Sequence, residues 1–297
     1  MTLVERAIEK LRRSAAAQQG AAAARPVGAV VHDVAAADQA APNSVPSRRI
    51  SIDRDALREA GYLPESSRDR QFADHYRQIK RPIISKAMAA ADSSGPSPRL
   101  IMMGSALPGD GKTFTSINLA LSLARERDVS VVLVDADVSK PHVSRIFGVD
   151  QEPGLLDALG DASVDVESLL LPTDIGSLSI LPAGNPTDGA TELLASVRMA
   201  SIVARLIGRN PRRIVMFDSS PLLVSSESRA LAAIAGQIVL VVRSGSTPRQ
   251  AVMDALEELG PGRPVSLILN QGRVGFTNSY HGYGEYGSYG DADGKAG

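Results

Sequence analysis

The chain of 297 residues has no cysteine, few aromatic residues and almost no net charge. Without cysteine it can form no disulfide, thiolate metal site or thiol nucleophile, which is compatible with a reducing cytosol. With 4% aromatic residues and a formal net charge of -1, it lacks the basic field and the stacking surfaces of nucleic-acid binders. The four histidines, His32, His75, His142 and His281, show no metal-ligand spacing. We therefore expect neither a nucleic-acid partner nor a histidine metal site.

Long hydrophobic runs are also lacking. The longest, such as Ile238 to Val242, have about the length of a strand, whereas a membrane span needs roughly 20 apolar residues. The N-terminus has no apolar region of the kind that signal peptides carry. The sequence thus predicts no transmembrane segment of its own, and any membrane association would be peripheral or through a partner.

The first 50 residues divide into two segments. Thr2 and Glu5 have the spacing of a capping box, and an apolar stripe from Leu3 to Leu11 lies opposite basic residues, which predicts a short amphipathic helix over residues 1–13. This helix would lie on the chain's own core, or else dock on a partner or an anionic membrane surface. Residues 14–50 are rich in alanine and proline and poor in large apolar side chains, which predicts a flexible linker.

Residues 51–275 alternate between apolar runs of strand length and stretches long enough for helices. This pattern predicts one α/β domain with a mostly parallel sheet and helices on both faces. The predicted strands are Leu100–Met103, Val131–Val134, Leu178–Leu181, Ile214–Phe217, Ile238–Val242 and Val265–Leu269. Ligands of such sheets bind at the carboxyl ends of the strands.

A phosphate-binding loop is predicted between the first strand and a helix over Phe114–Arg125. Gly109 and Gly111 allow backbone amides to turn toward phosphate oxygens, and the helix N-terminus adds partial positive charge. Lys112 would reach the β- and γ-phosphates, and the Thr113 hydroxyl would bind magnesium. A Gly-rich turn with an incidental lysine is the alternative, but strand, loop and helix follow in the required order. The predicted nucleotide-binding residues are Pro108, Gly109, Asp110, Gly111, Lys112, Thr113, Phe114 and Asn270.

Three aspartates follow predicted strands. Asp135 and Asp137 come at the end of the second strand, where a period of two places them on one side, and Asp218 ends the strand from Ile214. Acids beside a phosphate loop can bind magnesium or orient and deprotonate an attacking hydroxyl, although isolated acids at strand ends are more often turn formers or helix caps. Asn270 would either read the adenine edge or cap its strand.

Four of the six tyrosines recur at every third position in a Gly-rich tail, residues 276–297. The tail lacks the apolar residues needed to pack, so we expect these phenols to be exposed. The role that fits them best is that of substrate hydroxyls for phosphate transfer. They are Tyr280, Tyr283, Tyr286 and Tyr289.

Residues 65–290 resemble the cytoplasmic bacterial tyrosine kinases of exopolysaccharide synthesis. The resemblance is carried by the stretches Ser105–Thr113, Val134–Pro141, Phe147–Gly148, Leu181–Gly184 and Asp218–Pro221. It implies a P-loop NTPase-like fold of the deviant Walker superfamily. With its N-terminal helix and Tyr-Gly tail, the chain looks most like the exosortase-associated tyrosine autokinases.

The resemblance also implies an activity and a site. ATP would donate its γ-phosphate to the tail tyrosines with Mg²⁺ as cofactor, and this reaction would regulate the synthesis, export and chain length of an exopolysaccharide. The implied catalytic residues are Lys112, Asp135, Asp137 and Asp218, and the implied metal ligands are Thr113, Asp135 and Asp218. Where the family has a basic residue after the aspartate pair, this chain has Ser139.

Members of this family form rings in which one subunit's tail enters a neighbour's active site, and a membrane-spanning activator recruits them. The ring-forming Glu-x-x-Arg-x-x-Arg pattern corresponds here to Asp74, Arg77 and Lys80, which keep the charges with a shorter acid and a monodentate lysine. The resemblance therefore implies a homo-oligomer, a membrane-spanning polysaccharide co-polymerase as partner, and a cytoplasmic location at the inner face of the membrane.

Two other functions compete with the autokinase. A positioning or partition-type ATPase would use the nucleotide as a binding switch, but such proteins carry an additional lysine where this chain has Leu107, and they have no use for tail tyrosines. An inactive regulator would bind ATP without transferring phosphate. The intact lysine and the three aspartates argue against the second alternative.

Overall fold

The computed structural model describes residues 49–62, 69–89, 95–260 and 264–272. The predicted N-terminal helix, nearly all of the predicted linker and the tyrosine tail lie outside the described residues. The strands are β1 Leu100–Ser105, β2 Ser130–Asp135, β3 Leu171–Pro172, β4 Leu178–Leu181, β5 Arg213–Asp218, β6 Gln237–Arg243 and β7 Val265–Asn270. The α-helices are α1 Arg54–Glu59, α2 Asp69–Met88, α3 Lys112–Leu123, α4 His142–Ile146, α5 Leu155–Gly160, α6 Ala190–Leu194, α7 Val197–Gly208, α8 Ser226–Ile234 and α9 Arg249–Glu258.

The strands of the described residues form one sheet in the order β3-β4-β2-β5-β1-β6-β7. Every neighbouring pair is parallel except β3 and β4. Each predicted strand is present, with its ends within two residues of the prediction. The sequence did not predict β3, a two-residue antiparallel edge strand that contains Pro172. Such a short strand has no apolar period, and it is held by distant partners, β4 and the backbone N–H of Ile50.

Helices cover both faces of the sheet, as predicted. Because side chains alternate along a strand, Leu100 and Met102 pack on one face with helices α5, α7, α8 and α9. Ile101 and Met103 pack on the other face with α1, α2, α3 and α4. Both faces are buried, which explains why the strands are continuous apolar runs and do not alternate with polar residues.

The domain begins one residue before the predicted boundary. Ile50, the last residue assigned to the linker, donates its N–H to Pro172 O at 2.9 Å and accepts from Asp174 N at 3.2 Å. The chain therefore joins the β3 side of the sheet from Ile50 onward. Among the described helices, none combines the length and the apolar composition that crossing a bilayer requires.

Candidate active site

The predicted phosphate-binding loop connects β1 to α3, and this helix begins at Lys112, two residues before its predicted start. Gly109 and Gly111 have φ angles of 84° and 89°, in the left-handed region that favours glycine. A Cβ on Gly111 would also lie 1.9 Å from Nδ2 of Asn270, so no larger residue fits without displacing that side chain. Pro108 and Gly109 lie exposed in the loop. The loop thus leads into the amino end of a twelve-residue helix, where free backbone N–H groups favour an anion.

Lys112 lies at the centre of a buried polar cluster. Its Nζ donates to Asp218 Oδ1 at 2.9 Å and lies 4.0 Å from Asp137 Oδ2. Thr113 Oγ1 donates to the other oxygen of Asp218 at 2.7 Å. Ser116, one turn further along α3, donates to Asp218 Oδ1 at 2.8 Å. The structure therefore brings Lys112, Thr113 and Asp218 together as predicted neighbours, and it adds Ser116, which no motif marked.

Asp135 and Asp218 lie side by side because they are register partners on the adjacent strands β2 and β5. Burial, and then the charge of Asp218, raise the pKa of Asp135 to about 7. The backbone N–H and the hydroxyl of Ser144 each donate to Asp135 Oδ2 at 2.7 Å. The buried Oδ1 has no hydrogen-bond partner among the described residues. Asp135 is thus a carboxyl group with one anchored oxygen and one unused acceptor.

Asp137 lies beyond the end of β2, so the period-two argument that paired it with Asp135 does not apply to it. It is nevertheless held in the same cluster. Its Oδ1 accepts from Ser139 Oγ at 3.1 Å and from Ser220 Oγ at 2.9 Å, and also from the backbone N–H of Lys140 at 3.3 Å. Ser139, which replaces a basic residue of the family pattern, therefore supports an acid of the site.

Two predicted nucleotide-binding side chains have contacts that the motif did not indicate. Asn270, at the end of β7, donates from Nδ2 to the backbone oxygen of Asp110 at 2.9 Å. The ring of Phe114 packs against Tyr62, with 5.6 Å between centroids. Burial, and then the charge of Asp218, raise the pKa of Tyr62, so this tyrosine lies near the acid cluster. No sequence signal pointed to Tyr62, which precedes the loop by more than 40 residues.

The predicted oligomer-interface residues separate into two environments. Asp74 and Arg77 pair with each other on the exposed surface of α2. Lys80 is buried, and its Nζ contacts Glu126 Oε1 at 2.6 Å and Ser122 O at 3.0 Å. Lys80 therefore has an internal role at the end of α3. The acceptor tyrosines predicted in the tail lie outside the described residues.

Comparison with known proteins decides the family. No family model matches the chain. Tyrosine-protein kinase YwqD of Bacillus subtilis is 31% identical over 221 residues, which cover 74% of this chain and 87% of YwqD. The chain belongs to the bacterial tyrosine-protein kinases.

Two further matches agree with this assignment. The solved kinase domain of VpsO is 29% identical to this kinase with a TM-score of 0.53, over 67% of the kinase and 98% of the VpsO chain. The succinoglycan biosynthesis transport protein ExoP of Rhizobium meliloti is 30% identical over 267 residues. That match covers 86% of the kinase but 30% of ExoP, so the kinase spans about a third of that relative.

The matches confirm the predicted family, the P-loop NTPase-like fold and a protein-tyrosine kinase activity. A protein kinase takes its phosphate from a nucleotide, so nucleotide binding follows from that activity. They do not favour the positioning or partition ATPase.

Proposed function

We propose that this kinase transfers the γ-phosphoryl group of ATP to the four tyrosines of its own tail, at every third position from Tyr280 to Tyr289. The observation that carries the proposal is the hydrogen-bonded cluster of Lys112 and Thr113, at the start of α3, with Asp218, at the end of β5. This cluster places a cation, a hydroxyl and a carboxylate beside a loop suited to phosphate.

The environments of the two other tyrosines support the tail as acceptor. Tyr76 is 7% exposed on α2, and burial raises its pKa. Tyr62 is partly buried against Phe114, and the neighbouring charge of Asp218 disfavours its phenolate. Both are therefore poor nucleophiles in this fold, whereas the tail sequence has too few apolar residues to bury its phenols.

The reaction is a displacement at phosphorus. The phenolic oxygen attacks the γ-phosphorus, the bond from that phosphorus to the β–γ bridging oxygen breaks, and ADP leaves. Lys112 exchanges its bond to Asp218 for phosphate oxygens and stabilises their charge. Catalysis comes mainly from positioning and electrostatic stabilisation, as in other phosphoryl transfers.

We assign acceptance of the phenol proton to Asp135. Its Oδ1 has no partner among the described residues, whereas Oδ1 of Asp137 is occupied by three donors and its Oδ2 faces Lys112. The pKa of about 7 gives Asp135 the proton affinity that a general base needs near neutral pH. A substrate phenol, whose ordinary pKa is near 10, must still be held close to this oxygen.

The residues fit magnesium as the metal cofactor. The Thr113 hydroxyl and the Asp218 carboxylate are adjacent oxygen donors, the type that magnesium prefers. Among the described residues, the three buried carboxylates of this cluster have one buried ammonium, that of Lys112, so a divalent cation would offset uncompensated negative charge. Within the described ranges no group of three or more His, Cys, Asp or Glu side chains could hold a metal, so magnesium would share ligands with ATP phosphates. When bound, it would neutralise developing charge on those phosphates.

With Oδ1 of Asp135 assigned to the proton, Thr113 and Asp218 are the proposed magnesium ligands. Asp135 was predicted for both roles, but one oxygen cannot bind the ion and take the proton together.

The cellular role that we propose is regulation of exopolysaccharide synthesis, export and chain length. Support comes from ExoP, whose name describes succinoglycan biosynthesis and transport and which matches over most of this kinase. A membrane-spanning co-polymerase would then hold the kinase at the inner face of the membrane. The predicted helix of residues 1–13 is the proposed docking element, and unchanged membrane recruitment after its deletion would remove that role.

We also propose that the kinase assembles into a ring in which tails are exchanged between subunits. Asp74 and Arg77 support this proposal because both lie exposed on α2. Lys80 does not, because its ammonium is bound within the fold. Replacing Arg77 with Glu should lower the molecular mass measured by sedimentation, and an unchanged mass would reject this surface as the interface.

The test of the proposed function is phosphotyrosine mapping. Purified kinase is incubated with ATP and magnesium, and phosphotyrosine is mapped by mass spectrometry in the wild type and in Lys112→Met. We expect phosphate on the tail of the wild type only. ATP hydrolysis without phosphotyrosine would favour the ATPase alternative, and equal labelling of both proteins would reject the assigned site.

A further inference from the structure

The phosphate-binding loop contains an acidic residue, Asp110. Its negative charge has to be held away from the bound phosphates. Asp110 is 4% exposed. Its Oδ2 accepts from the backbone N–H of Leu107 at 3.1 Å, and its Oδ1 accepts from Thr247 Oγ1 at 2.6 Å. A carboxylate free to rotate in this loop would repel a triphosphate and would compete for the loop's amides. Here one donor of the loop and one donor from outside it fix the carboxylate.

Thr247 is itself held in place by the end of β6. Its hydroxyl accepts from the backbone N–H of Arg243 at 2.9 Å, and its own N–H donates to Arg243 O at 3.0 Å. A hydroxyl has one proton, so accepting from Arg243 leaves that proton for Asp110. The turn between β6 and α9 thus presents one directed donor to the loop.

Asn270 holds the backbone of the same loop residue from β7. Its Nδ2 donates to Asp110 O at 2.9 Å, and its Oδ1 accepts from Gln271 N at 2.9 Å. A carbonyl only accepts and a backbone N–H only donates, so these two bonds fix the orientation of the amide. Gln271 reaches this arrangement with a φ of 55°, which is uncommon for a residue other than glycine. The same amide covers Gly111, where no Cβ fits.

We infer that Thr247 and Asn270 are positioning residues for nucleotide binding, which act through Asp110 to hold the phosphate-binding loop in its phosphate-accepting conformation. Neither residue belongs to the loop motif, and each lies more than 130 positions from Asp110 in the sequence. A loop that is already ordered loses less conformational entropy when the nucleotide binds. We therefore expect Thr247 and Asn270 to affect the affinity for nucleotide. The inference rests on nucleotide binding at this loop and not on which tyrosine accepts phosphate.

The first test compares Thr247→Val with Thr247→Ser. Valine keeps the shape but removes the hydroxyl, whereas serine keeps the donor to Asp110 and the acceptor for Arg243. We expect the valine variant to bind magnesium-ADP about tenfold more weakly in calorimetry, the scale of one lost hydrogen bond to a charged group. Its KM for ATP should rise by a similar factor while kcat changes less than twofold, and serine should restore both. Thr187→Val, at an exposed threonine outside the site, is the matched control.

The second test asks whether Thr247 acts through Asp110. In an Asp110→Ala background, Thr247→Val should cause little further loss of affinity, because its partner is already absent. Full additivity of the two losses would overturn the inference for Thr247. A lowered melting temperature with unchanged nucleotide affinity would also overturn it, since that result describes a purely structural residue.

The third test separates positioning of the loop from recognition of adenine by Asn270. Inorganic tripolyphosphate, which has no base, is titrated as a competitor of a fluorescent ADP. If Asn270 positions the loop, Asn270→Ala should weaken tripolyphosphate and ADP by the same factor. Weakening of ADP alone would show that Asn270 reads the base and would overturn its part of the inference. These affinities are measured without phosphotyrosine, so failure of the autokinase proposal would not affect them.

Discussion

Two carboxylates that are neighbours across β2 and β5 meet different conditions. Asp218 is compensated by Lys112, Thr113 and Ser116, each through a hydrogen bond. Asp135 is as fully buried as Asp218, but among the described residues only Ser144 donates to it. The second negative charge is therefore unfavourable where the first is already stabilised, and Asp135 retains its proton to a higher pH.

This difference predicts how stability depends on pH in the metal-free kinase. An unfolded Asp135 titrates near 3.8 and the folded one at about 7, so between these values only the unfolded state releases the proton. The contribution of Asp135 to stability should fall as pH rises through this window and level off above it. The replacement Asp135→Asn removes this pH-dependent contribution to the free energy of unfolding. The stability of the Asp135→Asn variant relative to wild type should therefore increase with pH. The increase should be about 1.4 kcal/mol per pH unit and up to about 4 kcal/mol in all.

The measurement is chemical denaturation of both proteins from pH 4.5 to 8 in EDTA. The difference between variant and wild type cancels the titrating groups that do not interact with Asp135. A difference that does not change with pH would contradict the raised pKa of Asp135.

At the scale of elements, α2 and α3 form a pair that connects the surface to the nucleotide site. Tyr76 of α2 hydrogen-bonds with Thr115 in the first turn of α3. Lys80 of the same helix contacts Ser122 O, at the carboxyl end of α3. A cation there stabilises the helix dipole and satisfies a carbonyl that has no partner within its own helix.

We therefore expect Lys80→Met to destabilise the folded kinase by about 1–3 kcal/mol in urea denaturation, because it leaves Ser122 O and Glu126 without their partner. Arg81→Met, on the exposed face of the same helix, is the matched control and should cost about 0.5 kcal/mol or less. Equal losses for the two variants would contradict an internal role for Lys80.

The sequence predicted the elements that are specified by a short continuous stretch of residues. An apolar run such as Val131–Val134 has few alternatives to a buried strand, and the order of strand, loop and helix identified Lys112 and Thr113 before any geometry was known. The contacts that it did not predict join residues far apart in the chain. Thr247 is 137 positions from Asp110, and Tyr62 reaches Phe114 across α2 and β1. Such pairs leave no periodicity, because only the fold brings them together.

At the scale of the whole molecule, the described part of the chain ends next to the nucleotide site, and the proposed substrate tail follows it in the sequence. Gly272, the last described residue, follows shortly after Asn270, whose amide contacts the phosphate-binding loop. Phosphorylation of all four tail tyrosines would add about 6 to 8 negative charges at neutral pH. Because the site contains three buried aspartates, a phosphorylated tail should be repelled from it, which makes the tail a proposed switch for assembly.

The most direct test of the central claim counts phosphates per chain by intact-mass spectrometry after incubation with magnesium and ATP. Each single Tyr→Phe replacement in the tail should leave most of the label, because the four phenols act as a graded cluster. Replacement of Tyr280, Tyr283, Tyr286 and Tyr289 together should remove nearly all of it. A quadruple variant that keeps wild-type labelling, on Tyr62 or Tyr76, or a single replacement that abolishes every phosphate, would contradict this account.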